Sequence, residues 1–266
     1  TSTRIKSKTT KDSTLLMPRK KKMSVSVGAG MTAKQLRRKK PYNSEMMVPI
    51  EPITPNQTTA FAHYNEGKNL FLYGAAGTGK TFITLYMALK QVLDPLTPYN
   101  KVVLVRSLVS TREIGFLPGD HEDKSALYQI PYKNMVKYMF ELASDNEFEM
   151  LWGNLKAQES VTFWSTSFIR GTTLDNSIVI VDESQNLNFH ELDSIITRVG
   201  EDTKIMFCGD VAQTDLIKTN EKNGILDFQK IITRMPEFDL IEFGMDDIVR
   251  SGLVKSYITS KIELGM

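Results

Sequence analysis

Residues 74–81 read GAAGTGKT, and no other feature constrains the fold of this 266-residue chain as tightly. The octet matches the phosphate-loop pattern, with Gly first, Gly-Lys at the sixth and seventh positions and Thr last. The pattern needs a strand before it and a helix after it, and both are legible. Residues 69–73 (NLFLY) are a short apolar run ending at a glycine, and residues 81–93 are apolar and uninterrupted enough for a helix. Gly74, Gly77 and Gly79 let the backbone approach an anion closely. Backbone N–H groups of the loop, which also holds Ala75, Ala76 and Thr78, then point at phosphates, helped by the helix dipole. Lys80 is placed to reach β- and γ-phosphates, and the Thr81 hydroxyl to ligate Mg²⁺.

Two later strands carry matching chemistry. Residues 177–181 (SIVIV) form the clearest buried strand of the chain, followed by Asp182 and Glu183. In open α/β sheets ligands bind at the carboxyl ends of strands. Asp182 is therefore read as holding Mg²⁺, directly or through water, and Glu183 as orienting and deprotonating an attacking water. Paired acids favour a hydrolase over a small-molecule kinase, whose acceptor is a bound hydroxyl. Residues 204–208 (KIMFC) are a further apolar strand, leading into Gly209, Asp210 and Gln213 (GDVAQ). Gln213 can sense a γ-phosphate and align water, although GDxxQ alone would usually be a turn.

The remaining elements alternate. Residues 101–106 and 161–164 are strand candidates, with 240–243 as a last edge strand. Helix candidates cover 57–65, 132–144, 147–156, 189–199 and 224–234. This alternation predicts an α/β fold with a mostly parallel sheet flanked by helices. Residues 48–56 carry three prolines and read as an extended connector. Residues 1–45 hold 13 Lys and Arg against Asp12 and Glu45, which leaves 20 basic and 29 acidic residues for the rest. The parse is a basic, largely disordered arm over 1–47 and one domain over 48–266. Such an arm suits a polyanionic partner, with salt-dependent binding, or is a solvated tail with none.

Cys208 is the one cysteine, so neither an internal disulfide nor a cysteine-based zinc site is available. His63, His121 and His190 are scattered. No apolar run approaches the ~20 residues of a membrane span, and the basic N-terminal stretch lacks the apolar segment of a secretory signal. The expectation is a cytoplasmic protein without a membrane partner.

The order strand–GxxxxGKT, strand–DE, strand–GDxxQ resembles the nucleotide-binding core of superfamily-one helicases. Arg106, residues 115–120 (GFLPGD), 168–174 (FIRGTTL), 181–186 (VDESQN), 197–200 (TRVG), 209–216 (GDVAQTDL) and 246–250 (DDIVR) resemble, more specifically, the PhoH family of P-loop ATPases. The likeness spans about residues 55–260. It departs at Ser107, where proline is usual, and at Ser184, where alanine is usual, as in a divergent member of the kind phages encode. The resemblance implies a RecA-like fold, ATP as nucleotide, and association with RNA, some members being described as helicases.

It also implies residue roles. Gln57 would read the adenine edge, unless it is a plain helix-surface glutamine. Arg170, Arg198 and Arg250 are candidates for a γ-phosphate or a nucleic-acid backbone, Arg250 first. Arg106, with Thr111 and Arg112 near GFLPGD, would contact a single strand. Trp152, Phe163 and Trp164 could stack on bases or belong to the core. One RecA-like lobe supplies half of a helicase site, so a hexameric ring is expected, with Arg250 or Arg198 at a neighbour's ATP. The leading function is a Mg²⁺-dependent ATPase that remodels or unwinds single-stranded nucleic acid, RNA before DNA. An ATP-controlled switch or adaptor with slow hydrolysis and no unwinding stands beside it.

Overall fold

The computed structural model describes residues 41–106, 121–169, 171–210 and 219–264. Its central strands are short apolar runs that bury both faces, which is what a parallel sheet covered by helices requires. The strands are β1 (Asn69–Gly74), β2 (Lys101–Arg106), β3 (Val161–Trp164), β4 (Ser177–Asp182), β5 (Lys204–Gly209) and β6 (Phe238–Phe243). Among the described residues they form one sheet in the order β3-β2-β4-β5-β1-β6, and every pairing is parallel. β5 thus lies between the strand that leads into the phosphate loop and the strand that ends in the acidic pair, the RecA-like arrangement.

Alternation along the strands divides the core. Leu70, Leu72, Val102, Leu104, Ile178 and Ile180 face one layer. That layer holds α1 (Pro55–Asn65), α2 (Lys80–Val92), α3 (His121–Met139) and α4 (Asp145–Ala157). Phe71, Val103, Val105, Val179, Val181 and Phe207 face the other. There α5 (Thr166–Ile169), α6 (Phe189–Ile196) and α7 (Thr219–Ile232) pack. The last helix, α8 (Gly252–Glu263), contributes Ile258 to a small separate cluster with Ala75 and Ile248, directly beside the phosphate loop. Among the described residues, no helix is long and apolar enough to cross a membrane.

Two boundaries differ most from expectation. α3 begins at His121 rather than at 132, with Pro131 inside it; a proline lacks the N–H of a helix interior and reads as a start signal. Residues 41–47, assigned by composition to the arm, pack on the domain. Asn43 caps a 3₁₀ turn at Ser44–Met46, Met47 is buried, and the Val48 N–H donates to the Met139 carbonyl at 2.9 Å. Residues 1–40 of the arm lie outside the described residues.

Candidate nucleotide site

The carboxyl ends of β1, β2, β4 and β5 meet at one cleft, lined by the phosphate loop, Arg106, Tyr132, Asp182, Glu183 and Arg250 among others. The loop is held from outside. Gly74 pairs with Phe243 of β6, and the Ala75 N–H donates to the Phe243 carbonyl at 2.8 Å. Gly74 has φ +112°, and a Cβ there would collide with that same carbonyl. At Gly77, φ +73°, a Cβ would come within 2.8 Å of Arg250 Cγ. Only glycine fits at these two points. The Lys80 ammonium folds back over the loop. It donates to the carbonyls of Gly74 (3.0 Å) and Ala75 (2.7 Å) and to Thr78 Oγ1 (3.3 Å). Burial pushes its pKa down, while Asp210, Cys208, Glu183 and Asp182 pull it back up.

Across the cleft, Thr81 Oγ1 donates to Asp182 Oδ1 at 2.7 Å. The other oxygen of the same carboxylate, Oδ2, accepts from the Tyr132 hydroxyl at 2.6 Å. Burial, then the neighbouring Asp182 charge, raises the Tyr132 pKa far above its ordinary value, so the phenol stays a donor. Glu183 follows with left-handed backbone angles, φ 52° and ψ 43°. Strain of this kind costs roughly 1–3 kcal/mol for a residue other than glycine and collects at functional sites. Its carboxylate accepts from Gln185 Nε2 at 2.7 Å and lies 3.9 Å from the Arg106 guanidinium. Gln185 Oε1 in turn accepts the Asp210 N–H at 3.0 Å, tying the ends of β4 and β5 together. Cys208 is fully buried beneath the cleft; burial, then Asp182, pushes its thiol up to about 12.

A second set of contacts braces the loop. Gln57 is buried; its Nε2 donates to the Thr78 carbonyl at 3.0 Å and its Oε1 accepts the Ile53 N–H at 3.0 Å. The Asp247 carboxylate accepts from Asn56 Nδ2 (2.7 Å), the Asn56 N–H (3.3 Å) and the Gly244 N–H (2.9 Å). Those bonds hold the 244–250 segment against α1. From there the Val249 N–H donates to the Gly77 carbonyl at 3.0 Å, and Arg250 lies over the loop.

The structure thus brings Gly74 to Thr81, Asp182, Glu183, Arg106 and Arg250 to one place. Four of the expected site residues lie as follows. Arg250 sits on its own chain's loop, its Cγ beside Gly77. Arg106, expected on a nucleic-acid path, stands beside Glu183. Gln57 uses both ends of its amide on backbone. Arg198 follows α6 at the amino ends of β4 and β5, the end of the sheet away from the cleft, where its carbonyl accepts the Leu174 N–H at 2.8 Å. Trp152 belongs to the core, with Phe163 packed against it. Thr111, Arg112, Arg170 and Gln213 lie outside the described residues. Sequence reasoning missed Tyr132, Gln185 and Asp247. The VDESQN and DDIVR runs flag the last two; nothing local flags Tyr132.

A parallel sheet with this strand order, a phosphate loop after β1 and an acidic pair after β4 defines a P-loop NTPase core of the RecA-like class. The family model for PhoH-like proteins matches residues 49–261, and the chain belongs to the PhoH family. It is 36% identical over 145 residues to Protein PhoH2 of Bacillus subtilis (strain 168), covering 54% of this chain and 32% of that protein. It is 30% identical over 189 residues to a PhoH-like protein of Synechocystis (71% and 55% covered). Protein PhoH of Escherichia coli (strain K12) is 30% identical over 191 residues (71% and 51%). The matches therefore span a third to just over half of these relatives' length. Among solved structures, unliganded Pif1 from Bacteroides aligns with a TM-score of 0.35 and 14% identity, over 73% of this chain and 41% of that one.

Proposed function

We propose that the chain is a Mg²⁺-dependent ATPase that binds single-stranded nucleic acid, RNA before DNA, and couples hydrolysis to remodelling or unwinding it as a ring oligomer. The observation that carries this reading is Glu183. A carboxylate in strained left-handed backbone, fixed by Gln185 and placed next to the Thr81–Asp182 pair, is what activation of water beside a γ-phosphate needs. The donors also suit Mg²⁺, a hard ion that takes one or two protein oxygens and completes its shell with phosphate and water. Among the described residues, no cluster of three or more His, Cys, Asp or Glu offers a metal cage. Thr81 and Asp182 would hold the ion, which when bound neutralises charge on the β- and γ-oxygens.

The chain's own groups then have distinct tasks. Backbone N–H groups of residues 74–81 and Lys80 bind the phosphates. To reach them Lys80 exchanges its loop carbonyls for phosphate oxygens. Glu183 takes the proton of the attacking water, and Gln213 aligns that water. Arg250 acts on the nucleotide of its own chain. Arg198, whose buried Nε has no hydrogen-bond partner among the described residues, serves across a subunit boundary. Arg106, at the end of β2 and beside Glu183, contacts the strand together with Thr111, Arg112 and Arg170 and so links it to the cleft. The basic arm adds salt-dependent affinity to the unit formed by the rest of the chain.

The test is phosphate release from ATP with Mg²⁺ at graded single-stranded RNA. Stimulation that saturates with RNA, and weakens as salt rises, supports the proposal. Turnover indifferent to both RNA and DNA strands refutes the nucleic-acid coupling and returns the chain to a nucleotide-controlled switch.

A further inference from the structure

Tyr132 reaches the cleft from neither the loop nor the acidic strand. It arrives from α3, fifty residues before Asp182 in the chain, and is almost wholly buried (2% exposed). Its ring packs against Phe163, centroids 5.6 Å apart, and Phe163 against Trp152 at 6.2 Å. Phenylalanine would fill that core position equally well. What tyrosine adds is a hydroxyl aimed out of the core at Asp182 Oδ2, 2.6 Å away. The same carboxylate already accepts from Thr81 through Oδ1. Two hydroxyl donors, one on each oxygen and from different helices, fix both the rotamer and the plane of the Asp182 carboxylate. A carboxylate held by one donor alone keeps rotational freedom, and ordering it when an ion binds costs affinity.

We propose that Tyr132 is a positioning residue for the divalent ion: it presets the Asp182 carboxylate so that Asp182 and Thr81 present their oxygens together. This rests on the reading of Asp182 as the Mg²⁺-holding acid. Partners of metal ligands are typically worth about 10-fold to 100-fold in metal affinity.

The experiment measures binding of a fluorescent ADP analogue to the full chain, first in EDTA and then across a Mg²⁺ titration. Wild type is compared with Tyr132→Phe and Asp182→Ala. The expected result is that Tyr132→Phe binds the metal-free analogue within about twofold of wild type, while its Mg²⁺ midpoint moves up about 10-fold to 100-fold. A Tyr132→Phe midpoint at the wild-type value, with Asp182→Ala shifted, overturns the role of Tyr132 and leaves Asp182 in place. An Asp182→Ala midpoint at the wild-type value overturns the reading of Asp182, and the proposal with it. Metal-free affinity lost in Tyr132→Phe in the same proportion as the Mg²⁺ response means a general packing defect and also overturns the proposal.

Discussion

Replacing Gln57 with alanine separates two roles that its position before the phosphate loop allows. The structure has the side chain bridging the Thr78 carbonyl and the Ile53 N–H, both at 3.0 Å. Alanine orphans both groups. An unsatisfied buried polar group costs about 1–3 kcal/mol. Ile53 is an exposed residue (73%) whose N–H bond is only part-buried, whereas the bond to the Thr78 carbonyl is fully buried. The larger share therefore falls on Thr78, for a total of roughly 2–4 kcal/mol. Urea denaturation should show the midpoint falling with an unchanged slope, because the change acts on stability and not on the surface exposed. Since Thr78 belongs to the loop itself, ATP and GTP should lose affinity together, with their ratio preserved. A destabilisation under about 0.5 kcal/mol, combined with loss of ATP binding but not of GTP binding, would refute this account and make Gln57 a reader of adenine.

Other outcomes follow from the same geometry. Ser184→Ala should leave stability unchanged or raise it by up to about 1 kcal/mol in thermal denaturation, because the buried Ser184 hydroxyl has no hydrogen-bond partner among the described residues; a clear loss would contradict that. Cys208 has a folded-state pKa of about 12 against an ordinary 9.0. Folding therefore favours the neutral thiol, and its contribution is complete below pH 9 and lost as pH rises toward 12. Stability measured between those values should fall more steeply in wild type than in Cys208→Ala, by up to about 1.4 kcal/mol per pH unit. Mixing Lys80→Ala with Arg250→Ala subunits should leave hydrolysis at the sum of the two variants, because Arg250 lies on its own chain's loop. Restored turnover would place it at a neighbour's site.

The fold was legible where burial and periodicity coincide. β2 and β3 span the residues their apolar runs mark: β2 is buried over residues 102–105 between polar Lys101 and Arg106, and β3 is a short half-buried run at the sheet edge. β6 was read two residues short, because Asp239 interrupts its apolar run at the sheet edge. Loop, acids and family motifs placed the cleft from local spacing alone. What spacing could not carry were contacts between distant segments. Tyr132 meets Asp182 only once α3 packs beside β4. Asp247 meets Asn56 across 191 positions, and that clamp is what sets Arg250 on Gly77. Gln185 stood in a recognised run, yet its bond to the Asp210 backbone depends on β5 lying beside β4.

The central claim is that Glu183 activates water at a nucleotide held by the phosphate loop. The most direct test is single-turnover phosphate release in Glu183→Gln and wild type, with Mg²⁺ and single-stranded RNA present and nucleotide binding measured on the same samples. The account predicts that Glu183→Gln binds ATP as wild type does and releases phosphate about 10²-fold to 10⁴-fold more slowly. Equal rates in the two proteins, at equal ATP occupancy, would contradict it.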